Sequence, residues 1–129
     1  MRGLALLPLL ALTGCMAFDQ GPMALKGTFG GPHIGVEMEG GLAAVRFDCA
    51  SGTIDQPIIS GGPFTASGTY LPGQAGPVRV GQIFTAKRAT YSGAATKTTM
   101  TMTVTVEEGE VLGPFDLTLG APPQLTPCR

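Results

Sequence analysis

Tryptophan is absent from this chain, histidine occurs once, cysteine three times, and 13% of the residues are charged. Each shortage removes a class of function. Eight Lys and Arg stand against nine Asp and Glu with no basic cluster, so there is no positive field to hold a nucleic acid backbone. A single histidine and no C-x-x-C leave no zinc ligand set and no redox dithiol. No acidic loop of the calcium-binding kind occurs. No segment beyond the N-terminal apolar run has a helical period, which removes helical bundles and doubly wound α/β folds. Gly and Pro are abundant, at 20 and 11 residues, yet 43% of the chain is hydrophobic and no low-complexity tract appears. A turn-rich β domain is expected, and not disorder.

The N-terminus has the order of an export signal. Arg2 precedes an apolar stretch, Gly3 to Ala11, broken by Pro8. That stretch is too short to span a bilayer, which needs roughly 20 residues, and reads as a cleavable signal. It ends in Leu12-Thr13-Gly14-Cys15. This tetrapeptide resembles the bacterial lipobox, in which the Cys carries diacylglycerol, the peptide is cut before it and the new amino group is acylated. The resemblance implies residues 1–14 as signal peptide, Cys15 as the lipidation site and residues 15–24 as a short tether. No cofactor is expected beyond the lipid on Cys15. One acyl chain binds a membrane marginally at about 0.8 kcal/mol per buried CH₂, and two or three anchor stably. Lipoproteins of this type held in the inner membrane carry Asp after the Cys. Met16 stands there instead, which implies the outer membrane, on the periplasmic or the outer surface.

Export also accounts for the odd cysteine count. With Cys15 lipidated, Cys49 and Cys128 are left in an oxidising compartment, where a disulfide is the simplest expectation. It would close a loop of about 80 residues, worth roughly 4 to 5 kcal/mol in the chain-entropy description.

The remaining chain, residues 25–129, reads as one domain. Its clearest signal is TTMTMTVTV, Thr98 to Val106, with Met100, Met102, Val104 and Val106 on one face and threonines on the other. Glu107-Glu108-Gly109 reads as a hairpin turn. The next strand, Glu110 to Leu119, puts Val111, Phe115, Leu117 and Leu119 on one parity. The same period recurs at Ile34 to Glu39, before a Gly40-Gly41 turn. It returns at Val45, Phe47 and Cys49, at Phe64 to Tyr70, and at Ala89 to Ala95. Seven or eight short strands of this kind predict an all-β fold, a small antiparallel up-and-down β-barrel, with a β-sandwich as the alternative. Large inward residues (Phe47, Phe64, Tyr91) alternate with small ones (Ala66, Gly68, Gly93), as a filled barrel requires.

Three resemblances bear on function. Leu25-Lys26-Gly27-Thr28-Phe29 is similar to the first strand of calycins, with Phe29 in place of their Trp. It implies a barrel that takes a small hydrophobic ligand. GGPH at Gly30 to His33, FDCASGTI at Phe47 to Ile54, a later GGP and the Cys near the end look like a group of small exported bacterial proteins that brings no activity to carry over. Membrane-bound inhibitors of c-type lysozyme resemble this chain in anchor, size and expected fold. Ser67-Gly68-Thr69-Tyr70 is loosely similar to their Ser-Gly-aromatic loop, without their Lys.

Candidate site residues are few. His33 with Ser51, Asp48 and Asp55 makes a Ser-His-Asp set on paper. However, Ala50-Ser51-Gly52 is no nucleophile elbow and reads as a turn, and His33 reads as a loop-fixing residue. The stretch Leu71 to Arg88 lacks alternation and carries Arg79, Lys87 and Arg88. It reads either as a binding loop suited to an acidic partner or as a strand around Val78 to Phe84 between ordinary turns. The threonine face could hydrogen-bond a polysaccharide but lacks aromatic platforms, so it reads as a solvated sheet face. These features predict a non-catalytic lipoprotein that binds a protein partner in the envelope, as inhibitor or accessory subunit, through Arg79, Lys87, Arg88, His33 and Tyr70. A calycin-like ligand binder is the alternative and a hydrolase the third reading.

Overall fold

The computed structural model describes residues 23–73 and 85–128. Cys15, Arg79 and the strand considered around Val78 to Phe84 lie outside these. The described chain forms eight strands and no helix. They are β1 (Gly27–Gly31), β2 (Ile34–Glu39), β3 (Leu42–Phe47), β4 (Ala50–Ile54), β5 (Gly62–Pro72), β6 (Lys87–Ala95), β7 (Thr99–Val106) and β8 (Val111–Leu119). Each pairs antiparallel with the next, and β8 returns to β1, closing the barrel. Closure removes the free edges that a meander of this length would otherwise expose.

Alternation sorts the side chains as the sequence predicts. Met100, Met102, Val104 and Val106 of β7 are buried, with Phe29, Ile34, Val36, Val45, Phe47, Ile54, Tyr91 and Leu117 from the other strands. Threonines and charged residues take the outer face. That distribution is the inverse of a membrane-spanning barrel, which turns an apolar band outward.

Tyr91 explains the small residues. Its ring crosses Gly68 of β5 and Gly52 of β4, and its hydroxyl donates to the Thr69 carbonyl at 2.6 Å. A Cβ on Gly52 would sit 2.2 Å from the Tyr91 oxygen, so the bare glycine makes room for the ring. Burial pushes the Tyr91 phenol well above its ordinary pKa, aided by Tyr70 and Asp55.

Three expectations are corrected. Ser51 is not in a turn: Ala50 to Ile54 is β4, and the turn is Asp48-Cys49, with Cys49 at a φ of 51° and not on β3. Val111 is exposed, and Leu112 packs on the core instead. The cause is a β-bulge: Met102 faces Phe115 but Val104 faces Leu112, so β8 holds one extra residue around Gly113-Pro114 and its parity flips. The stretch without alternation is also shorter than Leu71 to Arg88, because β5 runs to Pro72 and β6 starts at Lys87.

The two ends of the barrel differ. One is the entry end, where the chain joins the barrel, with the β2–β3 turn, segments 55–61 and 96–98, and the end of β8. Here Leu25 N–H donates to Ile58 O and Ser60 N–H to Met23 O, so two extended pieces fold over the opening and bury Ile58. The other is the bridge end, where Cys49 and Cys128 are joined by a disulfide across 79 residues. To reach it, residues 120–128 run back along the outside of β1 and β2. Gly120 N–H donates to Thr28 O, Gln124 N–H to Gly31 O and His33 N–H to Gln124 O. Pro123 lies on Gly35, where a Cβ would meet its ring at 2.6 Å.

Candidate functional site

The barrel interior comes first, because a calycin-like ligand would need space there. Phe29, Ile34, Ile54, Tyr91, Met102 and Val104 are fully excluded from solvent. Phe47 lies edge-on to Tyr70 at 5.4 Å between ring centroids and 5.8 Å from Phe115, filling the bridge end. An open concavity lies on the outer face of β1 to β3, and a small recess at the entry end is lined by Leu25, Met38, Ala43, Pro57 and Ile58.

At the bridge end, His33 occupies the β1–β2 turn at a φ of 70°. Its Nδ1 lies 2.5 Å from Asp48 Oδ2, and the Thr126 amide donates to Asp48 Oδ1 at 2.6 Å. Asp48 thus joins three pieces of chain: the β1–β2 turn, the β3–β4 turn and the tail. The Thr126 amide above all holds the Asp48 carboxyl below its ordinary pKa; desolvation opposes this and His33 assists it. This arrangement fixes a loop. The structure brings His33 and Asp48 together but not the rest of the set drawn from the sequence. Ser51 sits in β4 opposite Arg46, and Asp55 lies past the other end of that strand, accepting from Thr53. Among the described residues no three His, Cys, Asp or Glu side chains converge as metal ligands.

Lys87 and Arg88 open β6, so their side chains leave opposite faces of the sheet. Lys87 pairs in register with Tyr70, on the parity of the core, and lies 3.7 Å from Glu108. Arg88 is on the outer face, and its amide donates to Glu107 Oε1 at 3.1 Å. The two therefore do not form one basic patch; three glutamates, Glu107, Glu108 and Glu110, border them. Tyr70 is half-buried at this mouth. Burial, and then the Glu110 charge, raise its phenol pKa.

Two outer surfaces complete the inventory. Across β4 to β7 the hydroxyls align in rows by register: Thr53 with Thr69, Ser67 with Thr90 and Thr105, Thr65 with Ser92 and Thr103. Thr53 and Thr69 bond to each other at 2.8 Å, so part of this face is satisfied internally. On β1 to β3 an open groove is lined by Lys26, Thr28, Glu37, Glu39, Leu42 and Ala44. Sequence reasoning did not find this groove. Its one signal is Leu42, an apolar residue on the outward parity and 60% exposed.

Comparison of the chain with known families, with curated proteins and with solved structures finds no match to any of them.

Proposed function

We propose that this is a lipid-anchored outer-membrane lipoprotein, non-catalytic, which binds a protein partner at the rim of its barrel as an inhibitor or accessory subunit. The observation that carries the second half is the filled interior. Tyr91, Phe29 and Met102 occupy the axis where a calycin-like barrel would hold its ligand. Recognition then falls to rims and loops. The bridge end is the favoured rim, since it gathers the turns bearing His33 and Glu108 with Tyr70 and Lys87, on a frame held by a disulfide. Its mixture of Lys87 and Arg88 with Glu107, Glu108 and Glu110 favours a partner of mixed charge over a simply acidic one. The anchor rests on the lipobox-like Leu12 to Cys15.

The test is recovery of partners from native envelopes by crosslinking, with the anchor intact, alongside native mass spectrometry of the purified protein. The expected result is a protein partner that is lost on replacing Tyr70 and Lys87 with Ser, while the fold is retained. A hydrophobic small molecule bound in stoichiometric amount would overturn the reading in favour of the calycin-like one. For the anchor, Cys15→Ser should abolish lipid labelling and processing. A Cys15→Ser protein that still matures and remains with membranes after carbonate washing would remove it.

A further inference from the structure

Five large apolar side chains are exposed among the described residues, and their placement is not random. Met23, Leu42, Ile59 and Leu119, at 55%, 60%, 42% and 42% exposure, all lie at the entry end. Val111, at 59%, is the one found at the bridge end among the described residues. The four belong to different elements: the segment before β1, the start of β3, segment 55–61 and the end of β8. They lie on the same rim: Ser60 N–H donates to Met23 O, Leu42 lines a small recess with Leu25, Pro57 and Ile58, and a Cβ on Gly27 would lie 3.3 Å from Leu119. Lys26 and Lys97 flank them, with Glu39 and Asp55 as the acids of this end. Asp55 is engaged by the Thr53 hydroxyl.

From this we infer that the entry end is a membrane-seating surface. Its four apolar residues enter the headgroup–acyl boundary of the bilayer, and Lys26 and Lys97 meet lipid phosphates. The inference rests on the anchor reading above and adds to it an orientation. Two observations commit the surface to lipid. The chain joins the barrel at this end, so Cys15 is tied to it by eight residue steps, a reach of at most about 28 Å. The apolar residues project from turns and strand ends and not from one strand, so they form a crown and not an edge that a peptide could extend. The crown also carries Lys26 and Lys97 against Glu39 and Asp55, so it has no net positive charge and its seating is by apolar insertion, as the apolar face of an interfacial segment achieves. Because acyl chains alone suffice for attachment, the crown sets tilt and not affinity. It would hold the bridge end outward, free for a partner.

The absence of tryptophan makes the test clean. Single-tryptophan variants Leu42→Trp and Val111→Trp of the full-length lipidated protein are reconstituted into phosphatidylethanolamine–phosphatidylglycerol vesicles, with or without brominated-acyl phosphatidylcholine. Leu42→Trp should be blue-shifted and lose about half its emission to the bromines, as a residue at interfacial depth would. Val111→Trp should be unchanged. Ile59→Trp serves if Leu42→Trp does not fold. Flotation and the mass of the Cys15 peptide are read on the same samples. A floating, acylated protein whose Leu42→Trp is not quenched, or whose two ends are quenched alike, overturns the seating and leaves the anchor standing. Failure to float with no acyl mass removes the anchor and the inference with it. A blue shift without quenching, accompanied by a doubled mass in nanodiscs, assigns the crown to a second copy and overturns the proposal.

Discussion

The wall of this barrel is built in two ways. On one side, β5, β6 and β7 share long ladders, running from Gly62↔Ala95 to Tyr70↔Lys87 and from Ala89↔Val106 to Ala95↔Met100. Opposite them, the closing seam between β1 and β8 pairs at Phe29↔Leu119 and Gly30↔Thr118. The first side holds itself by backbone hydrogen bonds and the alternation of Tyr91, Met100, Met102 and Val104. The second is reinforced from outside, by residues 120–128 lying along β1 and β2 and by the Cys49–Cys128 bridge at their end. The comparison teaches that a small barrel can close on a short ladder if the tail straps the weak side. Covalent and local hydrogen-bond restraint there replaces strand pairing.

The largest expected effect is on the seam. Cys128→Ala should lower stability by about 4 to 5 kcal/mol in the chain-entropy description. The amides of β1 and residues 120–127 should lose hydrogen-exchange protection ahead of those of β6 and β7. Uniform loss across all strands would break the distinction between the two sides. Next, Met102→Ala removes a fully buried side chain from the self-sufficient side and should cost about 3 kcal/mol. Here the loss should be global, measured by denaturant unfolding, with protection reduced equally on both sides.

Gly35→Ala sharpens the comparison without touching the core. Its Cβ would press on Pro123 at 2.6 Å, lifting the tail at an expected cost of about 2 kcal/mol. Exchange at the Gln124 amide should accelerate; an unchanged amide would mean that the tail yields without releasing the seam. Tyr91→Phe deletes the bond to Thr69 and should cost about 1 kcal/mol at neutral pH. Because burial raises the folded pKa of Tyr91 above the ordinary 10.0, its contribution is complete below that pH and falls as pH rises beyond it. Tyr91→Phe should therefore flatten the alkaline loss of stability, and urea titrations above pH 10 would show it. The smallest effect is at Asp48. Its pKa lies below the ordinary 3.8, so its contribution is present above that pH and is lost as pH falls through the folded value. Asp48→Asn should blunt the acid limb of the stability profile, measured by thermal melts. An unaltered acid limb would show that the Thr126 contact does not steady the tail.

The wall was more legible than its reinforcement. TTMTMTVTV announces β7 and its buried face because the period of two is unbroken there. The strand Ala50 to Ile54 is hard to read because two of its three inward residues, Ala50 and Gly52, are small, and Tyr91 from another strand takes the space over Gly52. Alternation puts Val111 on the wrong face because a single inserted residue at Gly113-Pro114 reverses parity, and an insertion does not show before the partner strand is known. Nor could the sequence show that Lys87 and Arg88 point to opposite faces, since no apolar pattern marks where β6 begins. The contact of His33 with Asp48 was likewise out of reach, because two turns and the tail must meet to form it.

The sequence by itself determined the class of this protein. Alternation with threonine on one parity and Met, Val and Phe on the other dictates strands with one wet and one buried face, because each side chain's partition between water and core is a local property. Most of the strands, and the pairing of neighbours, follow from the turns between them. Tertiary structure alone decided which side of the barrel is weak, where the tail lies and which exposed residues gather at one end. Those depend on register, on the bulge in β8 and on bare glycine backbone at Gly30 and Gly35, where an absent side chain admits another segment. An absence of that kind has no period, and it acquires meaning only when the segment that fills it arrives.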